Sequence, residues 1–67
     1  QLDTIGKNIR KYRLMKRYRH EDLAEKTGLS ANYIRMIQRG KSPSLETFIN
    51  ILNALDVSAD MVLADVL

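Results

Sequence analysis

The 67-residue sequence contains no cysteine, one histidine and no long apolar run. Without cysteine, neither a disulfide framework nor a thiolate metal site is available to stabilise the fold. A lone histidine, His20, gives almost no basis for a metal site or for Ser-His-Asp catalysis, and the sequence predicts no cofactor. No run approaches the roughly 18 apolar residues of a membrane span, and no signal peptide is evident. We therefore predict one domain over residues 1–67 that is cytoplasmic and not an enzyme.

Positive and negative charge are unevenly distributed along the chain. The net charge is +3, from 11 Lys and Arg against 8 Asp and Glu. Residues 1–41 hold all 11 basic residues and four acidic ones, whereas residues 42–67 hold four acidic residues and no Lys or Arg. One part of the molecule is therefore predicted to face a polyanion, and nucleic acid is the favoured candidate. A membrane is disfavoured because no predicted helix combines a basic face with a broad exposed apolar one.

The apolar periodicity predicts helices throughout and no sheet. Gly28 is predicted to stop the second helix, and Ser30, Ser44 and Ser58 to cap the third, fourth and fifth. The fourth helix is apolar around much of its circumference and is predicted to be the central core helix. The first four helices are predicted at about residues 4–16, 20–27, 31–38 and 45–55, and the fifth includes Met61, Val62 and Leu63 and extends toward Val66.

Residues 20–39 have the pattern of a helix-turn-helix. Ala24 is small where two helices would approach closely, and Gly28 adopts a positive φ without a steric penalty. In this motif the second of the two helices enters the major groove of DNA. The residues predicted to point inward and hold the pair together are Leu23, Leu29, Ile34 and Ile37.

Five segments, in order, carry a resemblance to a known family. They are IGKNIR at residues 5–10, EDLAEKTGLS at 21–30, Ile34 followed by IQRGK at 37–41, PSLET at 43–47 and ALDVS at 54–58. Over roughly residues 5–64 the chain resembles the phage repressor and Cro-like helix-turn-helix family, also called the xenobiotic-response-element family. The resemblance implies an all-α, compact five-helix, lambda-repressor-like domain with its helix-turn-helix at helices 2 and 3. It also implies a transcriptional regulator, a repressor by expectation, that binds a double-stranded DNA operator as a dimer.

The start of the second helix departs from the family pattern. Members commonly have a Ser or Thr cap followed by a Gln that touches a phosphate, and here Arg19 and His20 stand at those positions. Loss of a hydroxyl cap costs on the order of 1 kcal/mol. Arg19 adds a positive charge suited to phosphate, and His20 is either a phosphate contact or an ordinary surface histidine.

Two further departures concern charge and backbone conformation. Family members often pair an arginine in helix 1 with a glutamate at the end of helix 3, and the matching residues here are Arg13 and Gln38. A hydrogen bond is therefore the most that we expect between them. Arg17 and Asp56 stand where glycine often ends helices 1 and 4, so either these residues are left-handed or the turns differ.

The third helix supplies the candidate DNA-reading residues. With Ile34 and Ile37 inward, a helical wheel sends Asn32 and Arg35 outward, and these side chains bond adenine and guanine through two groups each. Tyr33 either packs on the turn or touches DNA. The predicted base-reading residues are Ala31, Asn32, Tyr33, Arg35 and Met36. The predicted phosphate contacts are Arg19, His20, Ser30, Arg39, Lys41 and Ser42.

Residues 61–67 contain more apolar residues than one short docking helix needs. A homodimer formed through helix 5 and the loop before it is one hypothesis, and a helix end that completes the monomer core or was cut from a longer chain is the other. The alternative function is an antitoxin or coactivator-type protein-interaction module of the same fold. Because the chain begins with Gln1 rather than Met, we expect it to be a trimmed or partial sequence.

Overall fold

A computed structural model describes residues 2–64 of the chain. Within these residues it contains α1 (Leu2–Met15), α2 (His20–Thr27), α3 (Ala31–Gln38), α4 (Leu45–Leu55) and α5 (Ala59–Val62). The predicted all-α arrangement of five helices is confirmed, as are the bounds of α2, α3 and α4.

The predicted ends of two helices are wrong. Helix α1 begins two residues earlier than predicted and ends at Met15, and Leu63 lies just beyond α5 rather than within it. The prediction for Val66 concerns a residue outside the described range.

Side-chain caps fix the starts of three helices. Ser30, Ser44 and Ser58 have extended backbone, and each hydroxyl accepts a hydrogen bond from the backbone N–H three residues later, at 3.0, 3.1 and 3.3 Å. Each bond satisfies one of the amides that a helix start leaves without a partner. All three predicted caps are confirmed.

Left-handed residues follow the first four helices. Gly28 and Gly40 have φ of 77° and 112°, and Arg17 and Asp56 have φ of 60° and 56°. The left-handed alternative is therefore confirmed for both non-glycine residues, at a cost of about 1–2 kcal/mol each. The left-handed backbone of Arg17 ends α1, and its N–H bonds to the carbonyl of Leu14, three residues back, at 2.9 Å.

The core forms where α1, α2, α3 and α4 meet. Helix α2 packs against α3 and α4, and α1 packs against α3 and α5. The prediction that α4 is the central core helix needs correction, because Leu45 is 74% exposed and Ile49 47% exposed. Helix α4 thus buries one face, with Ile51, Leu52 and Leu55, and is not surrounded by the other helices. The buried apolar residues are Ile9, Leu23, Ile34, Ile37, Ile51, Leu52, Leu55 and Val62.

A glycine and an asparagine hold α1 against its neighbours. A Cβ at Gly6 would lie 2.6 Å from the backbone oxygens of both Ile37 and Gln38, so α1 and the end of α3 approach more closely than any side chain permits. Asn8, which is buried, donates its Nδ2–H to the carbonyl of Val62 at 2.6 Å and so ties α5 to α1. Helix α1 is therefore held directly against the end of α3.

Candidate nucleic-acid interface

The turn between α2 and α3 is fixed by local hydrogen bonds. Gly28 donates its N–H to the carbonyl of Ala24 at 2.8 Å, and the Thr27 hydroxyl accepts the N–H of Leu29 at 3.2 Å. Asn50 of α4 donates to the carbonyl of Thr27 at 2.7 Å, which anchors the end of α2 from outside the motif. Three residues therefore separate α2 from α3, and the two helices pack against each other, as the helix-turn-helix pattern predicts.

Helix α3 presents a polar face to solvent. Ile34 and Ile37 are buried, whereas Asn32 and Arg39 are exposed and Met36 is 40% exposed. The Asn32 amide nitrogen lies 3.8 Å from the Met36 sulfur, so an amide and a thioether stand side by side on this face. Hydrogen-bonding groups and an apolar group in this arrangement match what the edges of adenine and thymine offer.

Two of the predicted base-reading residues lie on the flanks of that face. Ala31 and Tyr33 are half-buried, and the Tyr33 side chain packs against the core cluster. Tyr33 therefore contributes to core packing, whether or not it also contacts DNA.

Arg35 is a predicted base-reading residue whose side chain forms an ion pair with another helix. Its side chain is 40% exposed, and Nη2 lies 3.4 Å from Oε2 of Glu21 in the first turn of α2. Arg35 thus leans across the helix-turn-helix rather than extending freely from α3. The helical wheel gave its outward direction but carried no information about this partner on another helix.

A cleft of about 240 Å³ gathers basic groups from three parts of the chain. Its lining includes Arg10 from α1, which was not among the predicted site residues. The sequence held one indication of this role for Arg10. It lies three residues before Arg13 and therefore on the same face of α1. The residues that line the cleft are Arg10, His20, Arg35, Gln38 and Arg39.

A buried arginine adds to the positive charge near this cleft. Arg13 is 5% exposed, donates Nη1–H to the carbonyl of Tyr18 at 2.7 Å, and donates Nε–H to Gln38 Oε1 at 3.3 Å. The bond to Gln38 is the most that the sequence led us to expect between these two residues. Burial, followed by repulsion from Arg10 and Arg35, lowers the pKa of Arg13. Because Gln38 is neutral, the arginine charge is left to contribute to the local field.

His20 lies half-buried at the start of α2, facing the same charges. Partial burial, followed by repulsion from Arg13 and Arg35, lowers the pKa of His20 from its ordinary value near 6.5. The ring is therefore more fully neutral at pH 7 in the free protein than a solvated histidine is.

Arg19 precedes α2 without a hydroxyl for its cap. Asp22 forms the reciprocal bond of a capping box, because its Oδ2 accepts the backbone N–H of Arg19 at 2.8 Å, but the Arg19 side chain has no acceptor for the first amides of α2. The exposed guanidinium also pairs with Asp22 at 3.3 Å, and this hydrogen bond raises the pKa of Arg19.

The other predicted phosphate contacts surround α3. Lys41 and Ser42 are exposed in the loop that follows the helix, where the Lys41 N–H bonds to the Met36 carbonyl at 3.0 Å. Ser30 is exposed at the opposite end, with its hydroxyl used as the cap. The predicted phosphate contacts thus lie at both ends of α3 and at the start of α2.

Among the described residues, no group of three His, Cys, Asp or Glu side chains is arranged to hold a metal ion. None of α1–α5 has the length and apolar character needed to span a bilayer.

Comparisons with known proteins place the chain in a family. Residues 9–62 match the helix-turn-helix family model. The chain is 36% identical over 61 residues to the HTH-type transcriptional regulators SinR of Bacillus subtilis (strain 168) and of Bacillus licheniformis, covering 88% of this chain and 55% of each relative. It thus spans about half the length of these curated relatives, and no solved structure was found to match it. With the family match extending over most of its length, from α1 to α5, the chain belongs to the helix-turn-helix family.

Proposed function

We propose that this chain is the DNA-binding part of a transcriptional regulator, acting in the cytoplasm as a repressor rather than as an enzyme. One observation carries the proposal: Asn32 and Met36 of α3 and Arg39 just after it are exposed to solvent, and Arg39 shares a cleft with Arg10 and Arg35. The family match and the names of the two relatives support a DNA-binding regulator.

In this proposal α3 lies in the major groove and reads base edges. Asn32 bonds adenine through its amide, Arg35 bonds guanine O6 and N7, and Met36 contacts a thymine methyl group. Ala31 and Tyr33 approach the bases or sugars from the flanks of the helix. Each well-aligned contact of Asn32 or Arg35 contributes about 1–3 kcal/mol of discrimination against the wrong base.

Phosphate contacts then hold α3 in register along the groove. Backbone N–H groups and basic side chains at helix starts suit this role, because they face phosphate oxygens with positive partial or full charge. Arg19 exchanges its pairing with Asp22 for a phosphate when DNA binds. The proposed phosphate contacts are Arg19, His20, Ser30, Arg39, Lys41 and Ser42.

Titration of a fluorescent duplex at increasing salt concentration tests the proposal. The logarithm of the association constant should fall linearly with the logarithm of salt concentration, with about −0.9 in slope for each phosphate neutralised. Affinity for one duplex should exceed that for others at every salt concentration. Negligible binding to all duplexes at low salt would refute a DNA-binding role.

DNA affinity should increase as pH falls if charged His20 contacts a phosphate. A phosphate favours the imidazolium, so the pKa of His20 is higher in the complex than in the free protein, where burial and arginine repulsion lower it. Affinity is then constant above the pKa of the complex, rises as pH falls through it, and levels off below the pKa of the free protein. Binding isotherms from pH 5 to pH 8 should show this rise, His20→Gln should abolish it, and an unchanged profile in that variant would assign the effect elsewhere.

Two copies are proposed to bind together through α5 and the loop before it. A cleft of about 280 Å³ on this side is lined in part by Met15, Val57 and Met61, and the two methionines are 68% and 41% exposed. A two-fold axis here would place two α3 helices about 34 Å apart, which is one turn of DNA. Sedimentation of the complex with a two-half-site duplex should give two chains per duplex, and Met61→Lys should reduce this to one. A single wild-type chain per duplex would contradict the dimer.

A protein-interaction module of antitoxin or coactivator type is the second candidate. An apolar groove favours it, because Leu45 is 74% exposed beside a depression of about 290 Å³. A partner protein that co-purifies stably, combined with negligible duplex affinity at moderate salt, would support this function instead. The groove is lined by Ile5, Ser42, Pro43, Leu45, Phe48 and Leu63.

A further inference from the structure

Glu21 stands where an acidic residue is costly for a DNA-binding surface. It lies in the first turn of α2, its side chain is 61% exposed, and it faces Arg35 of the recognition helix. We propose that Glu21 is a specificity-determining residue that positions the Arg35 guanidinium for base reading and weakens binding to DNA that Arg35 does not recognise. The inference rests on the proposed function, in which α3 reads the major groove.

The surroundings of Arg35 explain why it needs an acidic partner. Arg10 and Arg39 line the same cleft, and their positive charges repel the Arg35 guanidinium. Arg35 lies close enough to repel its neighbours, since this repulsion adds to burial in lowering the pKa values of Arg13 and His20. Among the ion pairs of the described residues, Arg35 takes part in one, and Glu21 is its partner. Without Glu21, the cluster of cations would push Arg35 away from this position.

The pair also joins the two elements that meet DNA in the proposed function. It connects the start of α2 to the middle of α3, 14 residues away in sequence. Arg19 and Asp22, by contrast, lie three residues apart beside one helix end and constrain nothing beyond it. Glu21 engages Nη2 of Arg35, and a guanidinium has five N–H donors in a rigid fork. Donors therefore remain for guanine, and an oriented fork loses less conformational entropy on binding than a free one.

The same carboxylate opposes binding where Arg35 finds no base partner. Every duplex brings phosphates near α2, and a negative charge there is repelled whatever the sequence. On the correct duplex the repulsion is offset by the oriented Arg35 contact, and on other duplexes it is not. Glu21 is thus expected to widen the difference between specific and non-specific affinity, which is the quantity that matters among many competing sites.

Glu21→Gln tests the inference, with Glu25→Gln as the matched control. Both substitutions remove one negative charge from α2 at an exposed position, and none of the ion pairs in the described residues involves Glu25. Kd is measured for a preferred duplex and for the same duplex with the base pair assigned to Arg35 replaced. Glu21→Gln should bind the altered duplex about threefold more tightly and should lower the preference for the original about fivefold. Glu25→Gln should leave the preference unchanged, and thermal unfolding should report intact folds for both variants.

The Arg35→Ala background separates positioning from a general charge effect. There, Glu21→Gln should no longer change the preference between the two duplexes, because the side chain that it positions is absent. Full preference in Glu21→Gln alone, or an equal loss with and without Arg35, would overturn the inference while leaving the proposed function intact. A wild-type protein that prefers no duplex would overturn the proposed function itself.

Discussion

Replacing Gly6 by alanine is expected to destabilise the domain by about 3 kcal/mol. The added Cβ would lie 2.6 Å from two backbone oxygens at the end of α3, and backbone atoms cannot rotate away as a flexible side chain can. Helix α1 must therefore move off α3, which opens the core around Ile9 and Ile37. A domain of this size has only about 3–10 kcal/mol of stability, so the substitution would remove between about a third and all of it.

Gly28→Ala is the matched control for this prediction. Gly28 also has a special role, since its φ is +77°, but a Cβ there would meet nothing within 4 Å. Only the left-handed backbone is penalised, at about 1–2 kcal/mol. Urea unfolding followed by circular dichroism gives both values. A loss for Gly6→Ala no greater than that for Gly28→Ala would contradict the close approach of α1 to α3.

Arg35→Ala is expected to abolish discrimination at one base pair of the operator. If Arg35 makes a two-donor contact with guanine, about 1–3 kcal/mol of preference for that pair disappears, whereas preference at the other positions is retained. The measurement is a set of Kd values for the preferred duplex and for duplexes with each base pair replaced in turn.

Lys41→Ala provides the comparison, because it removes one positive charge from the loop after α3 without removing a proposed base contact. It should weaken binding to all duplexes by a similar factor and reduce the salt slope by about 1. An equal loss on every duplex for Arg35→Ala would assign Arg35 to a phosphate instead of a base.

Much of the fold was predictable because it is determined locally. The serine caps at residues 30, 44 and 58 act over three residues, and Gly28 acts within one turn, so sequence spacing is sufficient to recognise them. Helix α4 was predicted with the right bounds but the wrong burial. The helix has more apolar residues than the neighbouring helices bury. Whether Leu45 is buried depends on helices that are distant in sequence, which the local pattern does not show.

The sequence predicted which side chains of α3 face solvent, but it did not predict the contacts that they make with other helices. Asn32 and Met36 follow from the register of α3 once Ile34 is placed in the core. Arg10 and Glu21 could not be assigned in the same way, because they reach the region of Arg35 from α1 and α2. The uneven charge along the sequence corresponds to a region of the fold. Arg10 and Arg35, together with Glu21, all come from residues 1–41, which hold every Lys and Arg of the chain.

Selection of bound duplexes from a random library tests the central claim most directly. If α3 reads bases in the major groove and two copies bind together, the bound pool will share one motif with two similar half-sites about 10 base pairs apart. A bound pool with the same sequence composition as the input library would contradict sequence-specific recognition by this domain.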